Sequence, residues 1–123
     1  MNLPPPIVHA GNTCQFIFER GGGAIIHARL SIWEDPGGPG QKRVEVLFFE
    51  DSLDAIETFT RTLPKGLYEC ILLVFIREDL NGTYTYRHRV GDEVVGNDDG
   101  DVNVSANPGE GRANRHRYVL AVS

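Results

Sequence analysis

The chain has 123 residues, of which 41% are apolar and 24% are charged, and its formal net charge is −5. This length fits one domain, and the apolar fraction is too high for an intrinsically disordered protein. The negative charge argues against general nucleic-acid binding, because binding to phosphates requires a concentrated basic face. No apolar run approaches the roughly 20 residues that a bilayer-spanning helix requires, so no membrane span is predicted.

Residues 1–12 are predicted to form a proline-rich extended arm in front of a single β domain over residues 13–123. Pro4, Pro5 and Pro6 lack backbone donors and favour an extended conformation. The segment also lacks the basic region and the apolar stretch of a secretory signal. A cytoplasmic location is therefore the default expectation, and an extracellular or particle-associated location stays open.

From residue 13 onward, apolar and polar side chains alternate, which is the pattern of strands with one buried face. Three strands are predicted in the first half, over residues 13–19, 24–33 and 43–50. A glycine turn at 21–23 and a Pro/Gly loop at 35–40 separate them. The third strand has two apolar rows, with Val44, Val46 and Phe48 on one side and Leu47 and Phe49 on the other.

Three further strands are predicted, and the last two of them, at 67–77 and 83–90, are expected to be antiparallel neighbours. Residues 56–63 are rich in β-branched and aromatic side chains, which favour a strand. Residues 67–77 are apolar on both faces, so this strand is expected to lie centrally. The pair Asn81-Gly82, which is typical of a two-residue hairpin turn, then leads into the strand at 83–90.

The stretch 91–111 is acidic and rich in Gly and Asn, so it is predicted to be largely loop and the most mobile part of the chain. A short strand at 102–106 is an option within it, and a final strand is predicted at 117–122. About seven short strands and no helix predict an all-β fold, an antiparallel two-sheet sandwich.

The segment Gly66-Leu67-Tyr68-Glu69-Cys70 resembles the tyrosine corner of immunoglobulin-like domains, where a Gly-x-Tyr-x-Cys segment begins the strand that carries the second cysteine. Cys14 and Trp33 precede it in the order in which such domains place their first cysteine and their tryptophan. The resemblance implies an immunoglobulin-like Greek key and a structural role for Tyr68, and it implies nothing about function. The two cysteines are expected to be thiols in a reducing compartment and to be able to pair in an oxidising one.

The central strand has more apolar side chains than two sheets can bury. Ile71, Leu73 and Phe75 face away from the row that contains Cys70, and a two-sheet fold buries only one of these rows. Leu47 and Phe49 are expected to extend this second row on a neighbouring strand. We therefore predict a non-enzymatic structural or interaction module that self-associates as a homo-oligomer, or docks into a larger assembly, through this face. A cover formed by the arm or the acidic loop is the alternative.

The acidic loop 97–103 supports a different function, that of a carbohydrate-binding or calcium-dependent lectin-like protein. Carboxylate and amide oxygens are the ligands that calcium prefers, and the loop supplies them from Asp98, Asp99, Asp101 and Asn103. Val104 stands where a calcium loop requires glycine, whereas Glu110 occupies the position of its last carboxylate. Trp33, Tyr84 and Tyr86 are the candidate stacking surfaces for a sugar ring.

No constellation typical of an enzyme is found, so no enzymatic activity is predicted. The four histidines are scattered, and the sequence contains neither a Gly-x-Ser-x-Gly elbow nor a phosphate-binding loop. Cys70 lies in an apolar run that predicts burial, which argues against a nucleophile. A local basic cluster is the one candidate nucleic-acid contact, although a charged strand edge explains it as well: Arg112, Arg115, His116 and Arg117.

Overall fold

The computed structural model describes residues 5–34, 41–50, 55–77, 83–101 and 111–123, apart from the side chains of residues 111 and 112. These residues form nine β-strands and no helix, and hence no helix that could cross a bilayer. In chain order the strands are β1 (Ile7–Ala10), β2 (Thr13–Gly22), β3 (Ile25–Glu34), β4 (Lys42–Phe49), β5 (Ile56–Thr62), β6 (Gly66–Arg77), β7 (Thr83–Val90), β8 (Glu93–Asp101) and β9 (Gly111–Val122).

The strands form two sheets that share one hydrophobic core. The five-stranded sheet has the order β1-β9-β6-β3-β4, and the four-stranded sheet has the order β5-β2-β7-β8. Every described pairing is antiparallel except that of β1 with β9, which is parallel. Both sheets contribute fully buried side chains to the core, among them Phe16 and Phe18 from β2, Leu72 from β6 and Tyr118 from β9. The all-β prediction is thus confirmed, whereas the predicted antiparallel pairing of β6 with β7 is wrong, because the two strands lie in different sheets.

The described residues form nine strands where about seven were predicted. The two additional strands are β1 and β8. Residues 7–10, within the predicted arm, pair with β9, and Val8 is buried. Residues 97–101, predicted as part of an acidic loop, form the end of β8 instead. Pairing with β7 outweighs the poor strand propensity of this Gly- and Asp-rich segment. A two-residue turn makes that pairing possible, and its Gly91 adopts a positive φ of 56°.

The hydrogen bond that a tyrosine corner requires is present at the start of β6. The Tyr68 hydroxyl donates to the carbonyl oxygen of Pro64 at 2.6 Å, and the ring is buried. Tyr68 therefore ties the turn before β6 to the core.

Tyr68→Phe is expected to lower the free energy of unfolding by about 1 kcal/mol, because it removes this hydrogen bond and keeps the buried ring. Urea unfolding of the two proteins measures the difference. An unchanged midpoint would show that the hydroxyl has no structural role.

Candidate functional site

The outer face of the five-stranded sheet carries an apolar patch centred on β6. Alternate β6 residues point into the core, so Ile71, Leu73 and Phe75 point outward, as predicted. Ile71 and Leu73 are half-buried by their neighbours, and Phe75 is 48% exposed. On β4, Phe48 is 50% exposed on the same face. Among the described residues, no segment covers these side chains.

The prediction that Leu47 and Phe49 belong to this outer face is wrong. Leu47 is 2% exposed and Phe49 is 0% exposed, so both lie in the core. Leu47 lies opposite the buried Leu30 on β3, and directly paired residues share a face of the sheet. Because both rows of β4 are apolar, periodicity did not distinguish the inner row from the outer one. The outward residues near the patch are Val46 and Phe48.

Arginines surround the apolar side chains of this face. In the register of the sheet, Arg29 of β3 and Arg115 of β9 lie on either side of Leu73. Both arginines are exposed, and within the described part of the chain neither forms an ion pair. Arg117 differs, because its Nε lies 3.0 Å from a carboxylate oxygen of Glu69. We call Phe48, Ile71, Leu73, Phe75, Arg29 and Arg115 the outer patch.

The acidic residues of β8 do not converge on one point. Asp99 and Asp101 are exposed on the outer side of the four-stranded sheet. Asp98 points to the opposite side, where its Oδ2 accepts hydrogen bonds from the Tyr84 hydroxyl at 2.8 Å and from Asn114 Nδ2 at 2.9 Å. Asn103, the fourth predicted ligand, lies outside the described residues. Among the residues that are described, no three His, Cys, Asp or Glu side chains are grouped as a metal site requires.

A shallow concavity of about 310 Å³ lies next to these residues, on the four-stranded sheet. Its lining is mixed, and the polar side chains in it include those of Glu19, Arg87, Asn97 and Asp99. Hydrogen bonds from Arg87 and Arg89 lower the pKa of the Glu19 carboxyl, and burial partly opposes this shift. The concavity therefore presents hydrogen-bonding groups, of which Glu19 and Arg87 are already held in an ion pair with each other.

The predicted stacking residues do not line an open sugar site. Tyr84 and Tyr86 are buried between the sheets. Trp33 lies on the five-stranded sheet, half-buried, with the Arg43 guanidinium 5.8 Å from its ring centroid. The three aromatic side chains are thus on different surfaces, and the structure does not bring them together with Asp99 and Asp101.

Two buried polar networks were missed by sequence reasoning. In the first, His88 Nδ1 lies 2.9 Å from the Ile17 carbonyl oxygen, and Nε2 lies 2.9 Å from the Tyr118 hydroxyl. Because a carbonyl only accepts, Nδ1 carries the proton and Nε2 accepts from Tyr118. Burial lowers the pKa of His88 to about 4, so the ring is neutral at physiological pH. The alternation of Tyr84, Tyr86 and His88 along β7 was the available signal.

The second network lies where β8 of one sheet packs over β9 of the other. The Tyr86 hydroxyl lies 2.6 Å from His116 Nε2 and accepts a hydrogen bond from Asn114 Nδ2 at 3.0 Å. Burial lowers the pKa of His116, whereas the charge of Asp98 acts in the opposite direction. His116 thus points between the sheets, while its neighbours Arg115 and Arg117 point outward. The predicted basic cluster is divided between two faces.

Both cysteines are buried thiols. Cys14 and Cys70 are unpaired, and the Cys14 Sγ donates to the carbonyl oxygen of Gly11 at 3.3 Å. Burial raises the pKa of Cys70 to about 12, which keeps this thiol protonated at neutral pH. A thiol in this state is a poor nucleophile.

The fold places the chain among all-β proteins built from two packed sheets. No protein-family model matches the sequence, and no curated protein matches it. Among solved structures, a DUF4425 family protein from Bacteroides ovatus is similar to the chain, with a TM-score of 0.42 and 6% identity over 89% of this chain and 96% of that chain.

Proposed function

We propose that this protein is a non-enzymatic interaction module that binds another protein, or a second copy of itself, through the outer patch. The observation that supports the proposal most directly is the pair of half-exposed phenylalanines, Phe48 at 50% and Phe75 at 48%, on one face of the sheet. Phe75 adjoins Leu73 and Ile71 along β6, whereas Phe48 on β4 is separated from them by β3, where Arg29 lies between Phe48 and Leu73. Exposed apolar side chains interleaved with arginine on one face of a folded domain are typical of an interaction site.

The chemistry of the outer patch also suits binding. Aromatic residues and arginine are enriched in the residues that dominate binding energy at protein interfaces. Most of the patch lies on strands inside the sheet, with β6 paired on both sides by β3 and β9, whereas Phe48 lies on the edge strand β4. The paired backbone is in place before a partner binds, which reduces the ordering cost of binding.

We also propose that the two sheets form an immunoglobulin-like Greek key. In support, β2 and β6 carry Cys14 and Cys70 in opposite sheets, as the two cysteine strands of that family do. Strand β3, with Trp33, lies beside β6, which is the position of the tryptophan strand in the family. Two features differ: Trp33 points away from the core, and the β7–β8 hairpin extends the sheet beyond β2.

Site-specific photo-cross-linking tests the interaction proposal. A Phe75→benzoylphenylalanine variant is expected to give a discrete protein adduct, either with itself or with a partner in extracts of the organism that makes it. The matched control is Val94→benzoylphenylalanine, because Val94 is 43% exposed but lies on the other sheet. No adduct from position 75, or equal adducts from both positions, would contradict the proposal.

The lectin-like alternative has a narrower basis. The shallow concavity at Gly21 offers hydrogen-bonding groups to a hydroxylated ligand, but Tyr84 and Tyr86 are buried and give it no stacking surface. A role for calcium remains a prediction that depends on residues 102–110 as well as on Asp99 and Asp101.

A further inference from the structure

The register of the five-stranded sheet aligns charged and apolar side chains of the outer patch in one row. Phe48 lies opposite Arg29, Arg29 lies opposite Leu73, and Leu73 lies opposite Arg115. Neighbouring strands are about 4.8 Å apart, so the two arginines are separated by roughly 10 Å, with Leu73 between them. An apolar centre is therefore flanked by two cationic groups, neither of which has an ion pair within the described chain.

We propose that the partner of the outer patch is an acidic protein segment in which apolar side chains alternate with carboxylates. The inference rests on the proposed function and specifies the partner chemistry. Apolar side chains of such a segment would cover Phe48, Leu73 and Phe75. Its carboxylates would pair with Arg29 and Arg115, and arginine suits this role because its guanidinium binds a carboxylate through two parallel hydrogen bonds.

A second copy of the chain fits this face less well. A symmetric dimer brings the same patch together from both subunits. Arg29 and Arg115 of both copies would then lie in one interface, and the outer patch contains no carboxylate to pair with any of the four arginines. Juxtaposed like charges in a desolvated interface are unfavourable, and unpaired buried charges cost still more. A partner that brings carboxylates removes both costs.

Polyanions such as nucleic acids and anionic membranes fit less well for another reason. The centre of the patch is apolar, and charged phosphate groups do not pack favourably against an apolar surface. An acidic protein segment matches both the flanking charges and the centre.

Binding of three short fluorescein-labelled peptides tests the inference by fluorescence anisotropy at low ionic strength. One peptide alternates Glu with Leu, the second alternates Lys with Leu, and the third alternates Glu with Ser. The Glu-Leu peptide is expected to bind at least about tenfold more tightly than either of the others. Arg29→Glu/Arg115→Glu is expected to reverse the preference, so that the Lys-Leu peptide binds better. Phe48→Ser/Phe75→Ser is expected to weaken binding of the Glu-Leu peptide at least about tenfold.

The matched control is Lys42→Glu/Lys65→Glu, which changes the net charge equally at exposed residues outside the patch. It is expected to leave the peptide preference as in the unmodified protein. Since every substituted side chain is exposed or half-exposed, unchanged circular dichroism serves as the folding control.

Three results would overturn the inference. They are equal binding of the Glu-Leu and Lys-Leu peptides, preferred binding of duplex DNA or phosphatidylserine vesicles, and a dimer in light scattering that Phe48→Ser/Phe75→Ser dissociates. Each of them leaves the cross-linking result at position 75 as a separate test, so failure of the partner chemistry is distinguishable from failure of the proposed function.

Discussion

Acidification from neutral pH to pH 4 is expected to remove about 3 kcal/mol of the free energy of unfolding through one side chain, His88. Burial lowers the pKa of His88 from 6.5 to about 4 in the folded protein. Between these two values the unfolded chain binds a proton that the folded chain does not bind. Stability therefore falls as the pH falls through this window, and the loss is complete once both states are protonated. Urea unfolding at a series of pH values measures the effect.

His88→Gln isolates this contribution. The variant is expected to be less stable at neutral pH, because it disturbs the contacts with Ile17 and Tyr118, but to lose less stability on acidification. The pKa of His116 is also lowered by burial, and this residue is present in both proteins, so the difference between them reports His88. His9→Gln, at an exposed position, is the control. An identical pH dependence in His88→Gln and the unmodified protein would refute the assignment, as would a folded-state titration of His88 near 6.5 by NMR.

Gly96→Ala is expected to destabilise the protein by about 1–3 kcal/mol, the usual cost of overpacking a filled site. A Cβ at Gly96 would lie 2.8 Å from Cγ and 3.1 Å from Cβ of His116. The Cβ of His116 is fixed by the β9 backbone, and its Cγ could move away only through a change of rotamer that breaks the hydrogen bond between the ring and the Tyr86 hydroxyl. The direction of the stability change is informative, because replacing an unconstrained strand glycine by alanine ordinarily stabilises a protein. Thermal or urea unfolding measures the change.

A double-mutant cycle locates the cause of this effect. His116→Ala removes the ring that the new methyl group would meet, so Gly96→Ala is expected to cost far less in that background. Gly11→Ala is the matched control, since no atom lies within 4 Å of a Cβ placed there. Additive effects of the two substitutions would show that Gly96 is not required for the packing of His116.

Much of the fold could be predicted because several of its strands have one apolar row. Residues 13–19 and 83–90 alternate cleanly, and both lie in strands of the structure. The segment 93–101 could not be predicted, because Glu, Gly, Asn and Asp are depleted in strands. Its strand conformation depends on the neighbouring β7, and a single-sequence pattern does not contain that information. β1 was missed for a related reason, since four residues after a proline run are too few to establish a period.

The residues of the candidate site were predicted in part. The wrong or missing assignments arose because periodicity within one strand shows neither which row faces the core nor which residues of other strands lie beside it. Ile71, Leu73 and Phe75 point outward as predicted, because the other row of β6 is needed for the core. On β4 the same reasoning selected the wrong row. Of the two arginines beside Leu73, Arg115 was noted only as part of a basic cluster and Arg29 was not singled out, since alignment across β3, β6 and β9 depends on register. The burial of His88 was not predicted either, because a single histidine on a strand is more often exposed than fully buried.

The parallel pairing of β1 with β9 determines how this domain would respond to mechanical force. The carbonyl oxygen of Pro6 accepts from Val119 N at 2.9 Å, and that of Ala10 accepts from Ser123 N at 3.0 Å. Tension that draws residues 6 and 123 apart would slide the two strands past each other lengthwise. The hydrogen bonds between β1 and β9 would then bear the load together and break together, whereas strands that are pulled apart from one end lose their hydrogen bonds one at a time. A pull along the chain would therefore load this pair of strands in shear.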